Sequence, residues 1–558
     1  MRRMKFSATA LLLCSAVFVS AQGDYSLEAA GAAQSIINKH PGKPSEYPRT
    51  QDTVIGAPQF KYEINSRRVA TTFVLDTIRP AKITNDPIKK LYRTYLRAGY
   101  GTYNSVYGEG YFSMLRSKSW NAGIYAKHFS INHGVDDVAG FSGMSQNAVT
   151  LYGKHFLKKH TLSGDLGYDR DVVHFYGSTA DTNTFTSDAI VQRYNWFGGG
   201  LRLQSHYTDQ SKINHDVKMR YFHFGDIYNA SENNFVIGGS GYGFLNTEKI
   251  AADIGIDYNN NKTAKDTVSS TIFKIQPAFI AKGKRFEAMI GMGLYSDIRS
   301  EDTRTYFFPQ AEFSFDVFKH YLVPYAGITG NLERNSYRSL TQLNPFMLPA
   351  ASAEMRNTQN RNLIYAGLKG SISSSIAYSL KISHQERRNM ALFVNASELR
   401  DYLQNKFDVI YDTVDVTTLH GEIQFLRNEK IRVLAKADYH IYSAKNQLKA
   451  WHNPAINTGI SALYRVPDTK AGLDDKITAR ADVFWIGPQF ARTVDSTGAF
   501  VATELKGAVD ANIALEYRYT KFLSFFVHFN NLASQRYYRW NEYPTQRFNV
   551  MGGLSYAF

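Results

Sequence analysis

The last stretch of the chain, Arg547 to Phe558, alternates without a break. Phe548, Val550, Gly552, Leu554, Tyr556 and Phe558 take one face, and Asn549, Met551, Gly553, Ser555 and Ala557 take the other, ending on an aromatic residue. In a soluble sheet such a strand would leave an exposed, sticky edge. In a closed barrel it pairs back onto the first strand, and no edge remains. The pattern therefore predicts a barrel, with Tyr556 and Phe558 as its closing signal. The competing reading is an ordinary core strand that happens to come last, and the rest of the chain decides between them.

The same period recurs from Tyr92 onward. Thr94, Leu96, Ala98 and Tyr100 oppose Arg93, Tyr95 and Arg97; Ile250, Ile254, Ile256 and Tyr258 oppose Asp253 and Asp257. Later, Val433, Ala435, Ala437 and Tyr439 oppose Arg432, Lys436, Asp438 and His440. Ile477, Ala479, Ala481 and Val483 oppose Arg480 and Asp482, and Val509, Ile513, Leu515 and Tyr517 oppose Asp510, Asn512 and Glu516. Side chains change face at each step of a strand, so each run has one apolar and one charged side. A propeller or sandwich buries both faces of most strands and excludes unpaired charge. A barrel with lipid outside and water inside accepts both faces, and Tyr or Trp at the ends of the apolar runs fits interfacial girdles. No fixed-period repeat of the propeller kind is present, and no segment after the N-terminus has the ~20 apolar residues of a membrane helix.

Connections give a second argument. Short ones at Ser117-Lys118, Lys158-Lys159, Asn246-Thr247, Gly283-Lys284, Lys319-His320, Ser373-Ser374, Asn428-Glu429 and Thr520-Lys521 alternate with longer polar stretches. The longer ones are 132–145, 177–188, 259–270, 333–360, 386–413, 443–455, 488–506 and 531–546. That alternation is the mark of short turns on one rim and surface loops on the other. The predicted fold is all-β: a transmembrane antiparallel β-barrel of about 22 strands, within a range of 18 to 24, preceded by a short non-barrel segment. Met390–Asn395 and Phe407–Tyr411 read as a hairpin inside one long loop; as membrane strands they would change the count by two.

Residues 1–21 read as a signal peptide cleaved near Ala21: Arg2, Arg3 and Lys5 precede the apolar run Phe6–Ser20. Cys14, the sole cysteine, lies inside it after Leu13, which argues against a lipid anchor and leaves a mature chain without disulfides. Cleavage lowers the formal net charge from +15 to about +12, since residues 1–21 hold three basic and no acidic residues. Residues 22–90 form a separate periplasmic or lumen-inserted segment. Tyr25–His40 is Ala-rich and could be a short helix, and Pro41, Pro44 and Pro48 mark an extended linker. Asp52-Thr53-Val54-Ile55 is a faint match to a box that contacts an inner-membrane energising protein. The barrel is assigned to residues 91–558.

Asn530-Asn531-Leu532, Tyr537-Tyr538, Trp540, Tyr543-Pro544 and the final strand resemble the end of a TonB-dependent receptor barrel. More broadly, Ile78-Arg79-Pro80-Ala81-Lys82, Lys90-Leu91-Tyr92, Arg97 through Tyr103, Leu151-Tyr152-Gly153-Lys154 and Lys159 through Gly164 resemble a plugless group of TonB-dependent receptor-like outer-membrane proteins. The resemblance implies an outer-membrane barrel of about 22 strands. It also marks a departure: a full receptor has a globular plug of well over a hundred residues, whereas about 70 residues precede Tyr92 in the mature chain.

No catalytic constellation stands out. His128, His155, His206, His223, His384, His440 and His528 are scattered through face, loop and rim positions, with no spacing that gathers them with Ser or carboxylate. The aromatic stretch Tyr537–Tyr543 reads as interfacial girdle, or alternatively as a ligand platform. No enzyme activity, cofactor or metal site is expected. Arg93, Arg97, Arg432, Lys436 and Arg480 are candidates for a cationic lumen lining that favours anionic solutes, an inference weakened by Asp253, Asp257, Glu312 and Glu516. The expected function is transport of solute across the outer membrane, as a pore or receptor component. The alternative is a non-transport barrel that scaffolds surface proteins or an assembly complex. Expected partners are outer-membrane lipid, the barrel-assembly machinery during insertion, and a surface lipoprotein or periplasmic energising protein; nucleic acid is not among them.

Overall fold

The computed structural model describes residues 92–558, except 115–116, 136–137, 139, 178–185, 264–265, 300–301, 350–354, 402, 429 and 469–472, and the side chains of 473 and 474. The leader, Cys14, the linker, the 52–55 box and the 78–82 motif lie outside the described residues.

Twenty-two antiparallel strands form one sheet, each paired with its sequence neighbour in the ring. The first, Thr94–Gly101, pairs with the last, Asn549–Ala557, from Tyr95↔Ala557 to Gly101↔Met551. The ladder runs on to the last residue, where the N–H groups of Arg93 and Thr94 both donate to Phe558 O at 2.9 Å. Closure leaves no unpaired ladder edge, which a hydrocarbon medium demands because it offers backbone groups no other partner.

Two faces follow from the alternation. Leu96, Ile254, Ile290, Ile423 and Ile460 are 45–54% exposed on the outside, whereas Arg97, Glu312 and Asp482 on the opposite face are 2–5% exposed. The apolar side is the outer one, as expected. Exposed aromatics flank it, with Trp120, Tyr321 and Tyr519 toward the rim that carries the termini and Tyr258, Tyr439 and Trp485 toward the other rim.

At the seam the two strands bring Gly99 and Gly553 into register. A Cβ on Gly553 would lie 2.1 Å from Ala98 O and 2.5 Å from the Phe526 ring, so no side chain fits there. Phe526 covers the glycine pair from inside, and the Arg97 guanidinium sits 3.9 Å above that ring.

The short connections fall on the rim of the termini, and the long ones gather on the opposite rim. Two long stretches need correction. Residues 259–270 are largely strand: Glu248–Lys262 and Thr267–Lys282 pair up to Lys262↔Thr267. In 386–413, strand Ile376–Asn395 runs on past the belt and returns as Phe407–Arg427, with pairing as far as Asn395↔Phe407. The hairpin is therefore an extension of two barrel strands, and the count stays at 22. Above the belt both faces can be polar or packed by loops, so the sequence there need not alternate and reads as loop. A bulge between Arg387 and Met390, with Asn389 at φ 52°, re-aims this extension.

If the seam depends on the glycine pair, Gly553→Val should abolish closure. Electrophoresis of unheated membrane extracts should show loss of the compact, heat-sensitive band, with Gly552→Ala, whose added Cβ meets only Phe526 O at 3.8 Å, keeping it.

Candidate functional site

The long loops do not stand apart. Phe175 and Tyr176 from the loop after His160–His174, Ile190 from a short helix Ser187–Ile190, and Tyr194 from the sixth strand belong to one buried apolar cluster. Phe222 and Phe224 of the seventh strand join it, as do Tyr337 and Leu340 of the helix Tyr337–Leu343 and the following Phe346 and Met347. Phe393 and Phe407 of the extended hairpin and Trp540 and Tyr543 of the last loop complete it. The seventh and fifteenth strands stand eight places apart in a ring of 22, so this core bridges the mouth. At its centre Phe346 stacks on Tyr543 with ring centroids 3.7 Å apart. The other face of the hairpin packs Met390, Leu392 and Val394 against Ala450 and Trp451 of the loop before Ile456. The hairpin is thus a rib with both sides buried.

Local sequence explains why these loops lie down. Loop tips rich in Tyr, Phe and Trp cannot leave such area in water, and the hydroxyls of Tyr176, Tyr194, Tyr337 and Tyr543 find acceptors. Tyr194 donates to Pro345 O at 2.7 Å, Tyr176 to Pro544 O at 3.1 Å, and Tyr543 to Asn405 O. Asn405 Nδ2 donates to Phe175 O at 2.8 Å. Tyr337 donates at 2.6 Å to Asp226, whose carboxylate also accepts from Tyr228 N and Ala230 N at 2.9 and 2.8 Å. Ser336 caps the helix through the N–H of Ser339. Arg334 ties this loop to the wall, 2.9 Å from Asp257 and 2.7 Å from Ser270 Oγ.

One imidazole joins three of these pieces. His452 Nδ1–H donates to Phe393 O at 2.9 Å, and its Nε2 faces the N–H of Asn541 at 3.3 Å. Its ring packs edge-on to Phe407 at 5.5 Å and lies 5.1 Å from Trp540. Burial pushes the imidazole down to about 4, against the Phe393 bond, which favours the proton. The sequence reading did not single out His452. Its neighbours Trp451 and Asn453 are a local hint only, because the partners lie about 60 and 90 residues away in the chain.

The aromatic stretch Tyr537–Tyr543 is neither girdle nor open platform at three of its aromatic residues. Tyr537, Trp540 and Tyr543 are buried within the cap or beside it, and Tyr537 donates to Asp510 at 3.2 Å.

The candidate lining residues fall on the inner face, with one exception. Arg93 precedes the first strand and is exposed at the rim of the termini. Arg97 lies 3.9 Å from Glu516 and 3.2 Å from His528 Nε2. Lys436 pairs with Asp438 at 3.2 Å, and Arg480 with Asp482 at 2.9 Å. Asp253 pairs with Lys274 at 2.6 Å and Asp257 with Arg334. Arg432 shares the inner face, half-buried. Carboxylates thus alternate with these cations, two residues along the same strand at Lys436–Asp438 and Arg480–Asp482 and across neighbouring strands at Asp253–Lys274, a pattern that argues against a lining of one sign. The scattered histidines stay scattered, and among the described residues no group of three or more His, Cys, Asp or Glu is placed to hold a metal ion.

No family model and no curated protein matches the chain in sequence. Solved structures do match in shape. The pyoverdine outer membrane receptor FpvA from Pseudomonas aeruginosa PAO1, bound to pyoverdine, is 11% identical with a TM-score of 0.62, over 85% of this chain and 79% of that one. The FrpB iron transporter from Neisseria meningitidis is 9% identical with a TM-score of 0.65, over 84% and 82%. The ferric-catecholate import receptor Fiu from E. coli K12 is 10% identical with a TM-score of 0.63, again over 84% and 82%. The fold is that of the TonB-dependent receptor barrel.

Two outcomes test the cap. Phe346→Ala removes the central ring at a cost of about 3–5 kcal/mol; amide exchange should quicken in 337–348, 395–407 and 537–545 together and leave the barrel strands protected. His452, being harder to protonate in the cap than in open loops, should favour the closed cap above pH ~6.5 and progressively less as pH falls toward about 4, by roughly 3 kcal/mol in all. Exchange corrected for intrinsic rate should show that loss, and His452→Gln should flatten it.

Proposed function

We propose that this chain is the membrane part of a gated solute-uptake system of the outer membrane, in which the surface loops close the barrel mouth until solute or a partner displaces them. The observation that carries this reading is the apolar core shared by loops from opposite sides of the barrel. A freely diffusive pore has no use for aromatic side chains packed across its mouth. The barrel's likeness to receptors and a transporter that take up iron compounds supports uptake as the general task, and this chain's solute is left open. In this reading residues 1–21 direct export, and residues 22–90 act on the periplasmic side, where an energising protein would engage them.

The scaffold alternative has one supporting observation. Gln489–Val494 and Phe500–Leu505 form a two-stranded hairpin separate from the barrel sheet, with Val494 and Phe500 both 59% exposed at its tip. Such a tip could seat a surface protein.

Planar-bilayer recording separates the two. The full chain should be nearly silent, and Phe346→Ala/Tyr543→Ala should open large steps. A wild type that conducts as freely as the double variant would overturn gating, and a silent variant that still holds a stoichiometric surface protein would favour the scaffold. Because inner cations alternate with carboxylates, the opened variant in a KCl gradient should show a reversal potential near zero. A strong anion preference would restore the cationic lining.

A further inference from the structure

On the sector formed by the fourth to seventh strands, the outer surface is recessed. Gly153 of Met144–Phe156 stands opposite Gly164 of His160–His174, and Gly199 of Val191–Ser205 stands opposite Leu166. Leu151, Leu166, Phe197 and Leu201 surround the gap, and together they bound a groove of about 510 Å³ on the lipid side. Large apolar side chains fill most other outward positions of these strands, and Leu201 and Leu166 lean over Gly164 and Gly199, so the open space is the one that Gly153 leaves.

Directly toward the rim of the termini, the same strands end in a basic cluster. His206 N–H donates to Lys159 O at 2.8 Å, which brings the turn at 157–159 against the segment 206–213. Lys158, Lys159 and Lys212 are exposed there. Tyr207 Oη lies 3.3 Å from His160 Nε2, the His160 and His215 rings are 5.3 Å apart, and the Lys212 ammonium is 5.5 Å from the Tyr207 ring. Asp209 is also present, accepting from Ser211 N–H and hydroxyl at 3.0 and 2.8 Å, and offsets one of the three lysines. Gly164 lies four residues up the strand from His160, about 13 Å along it and roughly 10 Å along the membrane normal at the usual tilt. This rim bears the short turns and both termini of the barrel, so it is the periplasmic one.

We propose that this sector binds one anionic glycerophospholipid of the periplasmic leaflet, its phosphate at Lys159, Lys212 and Tyr207 and one acyl chain in the glycine groove. The two halves of the argument are independent: an apolar recess inside the belt, where the surrounding medium is acyl chain, and a net positive charge at headgroup depth on the same strands. A polypeptide partner would have no reason to place anionic charge at that depth with an apolar tail above it, whereas a phospholipid has that form by construction. The assignment needs only a membrane-spanning barrel and is indifferent to whether the cap gates transport.

The test uses the full chain in nanodiscs of equal parts phosphatidylglycerol and phosphatidylcholine, followed by release and native mass spectrometry. The wild type should retain one phosphatidylglycerol in preference to phosphatidylcholine. Gly153→Leu fills the groove without a clash, since an added Cβ meets nothing within 4 Å, and should lose the retained lipid while the barrel keeps its heat-sensitive mobility. Lys159→Gln and Lys212→Gln should each lower the anionic preference about fivefold. Equal retention by the wild type and Gly153→Leu, or no headgroup preference in the wild type, would overturn the site. A polypeptide held by the wild type and lost from Gly153→Leu would overturn it in favour of a protein partner.

Discussion

A bilayer offers no water to a backbone N–H or C=O, and everything in this structure follows from that. Strands survive there only if the sheet closes, so the register between Thr94–Gly101 and Asn549–Ala557 decides whether the other twenty strands have a place to be. The seam is built for close approach. Gly99 and Gly553 remove side chains where Ala98 O needs the space, Phe526 covers the gap from inside, and Arg97 lies on that ring while facing Glu516. A cation on the inner face is tolerable because it is near a carboxylate and an aromatic face at once.

The loop rim is governed by the opposite medium. In water, an aromatic loop tip is stabilised by burying its area, and the nearest apolar surface is another loop. Tyr176, Phe346, Phe407 and Tyr543 therefore meet over the mouth, with their polar atoms satisfied by main-chain carbonyls from neighbouring loops. The bulge at Arg387/Met390 is the hinge of this arrangement, because it turns an extension of two wall strands so that both faces find partners. One wall and one cap thus come from a single ladder, folded by two solvents.

The cap lies over an inner face that is polar without a single sign of charge. Asp253 with Lys274, Lys436 with Asp438 and Arg480 with Asp482 set both signs of charge side by side on that face. Under the proposed gating, selectivity would fall to what opens the mouth rather than to the field along the wall.

The alternation in Arg93–Tyr100, Ile250–Tyr258 or Ile477–Trp485 was legible because a strand between lipid and water must sort its side chains residue by residue, and that sorting is a local property. Barrel class, outward face and closing strand come from it, and the lengths of the connections add the rim polarity and a count near 22. Where the strands leave the belt the rule lapses, which is why the ladder residues 259–262, 267–270, 386–395 and 407–413 read as loop. The cap could not be read at all. Tyr337–Asp226, Tyr543–Asn405 and His452–Phe393 join residues 59 to 138 apart, and nothing in the spacing of Tyr537, Trp540 and Tyr543 distinguishes girdle from core. Lys436 with Asp438 and Arg480 with Asp482 lie two residues apart on one face and could be read, whereas Asp253 with Lys274 was hidden, because register, which only the paired sheet sets, decides which carboxylate meets which cation across strands.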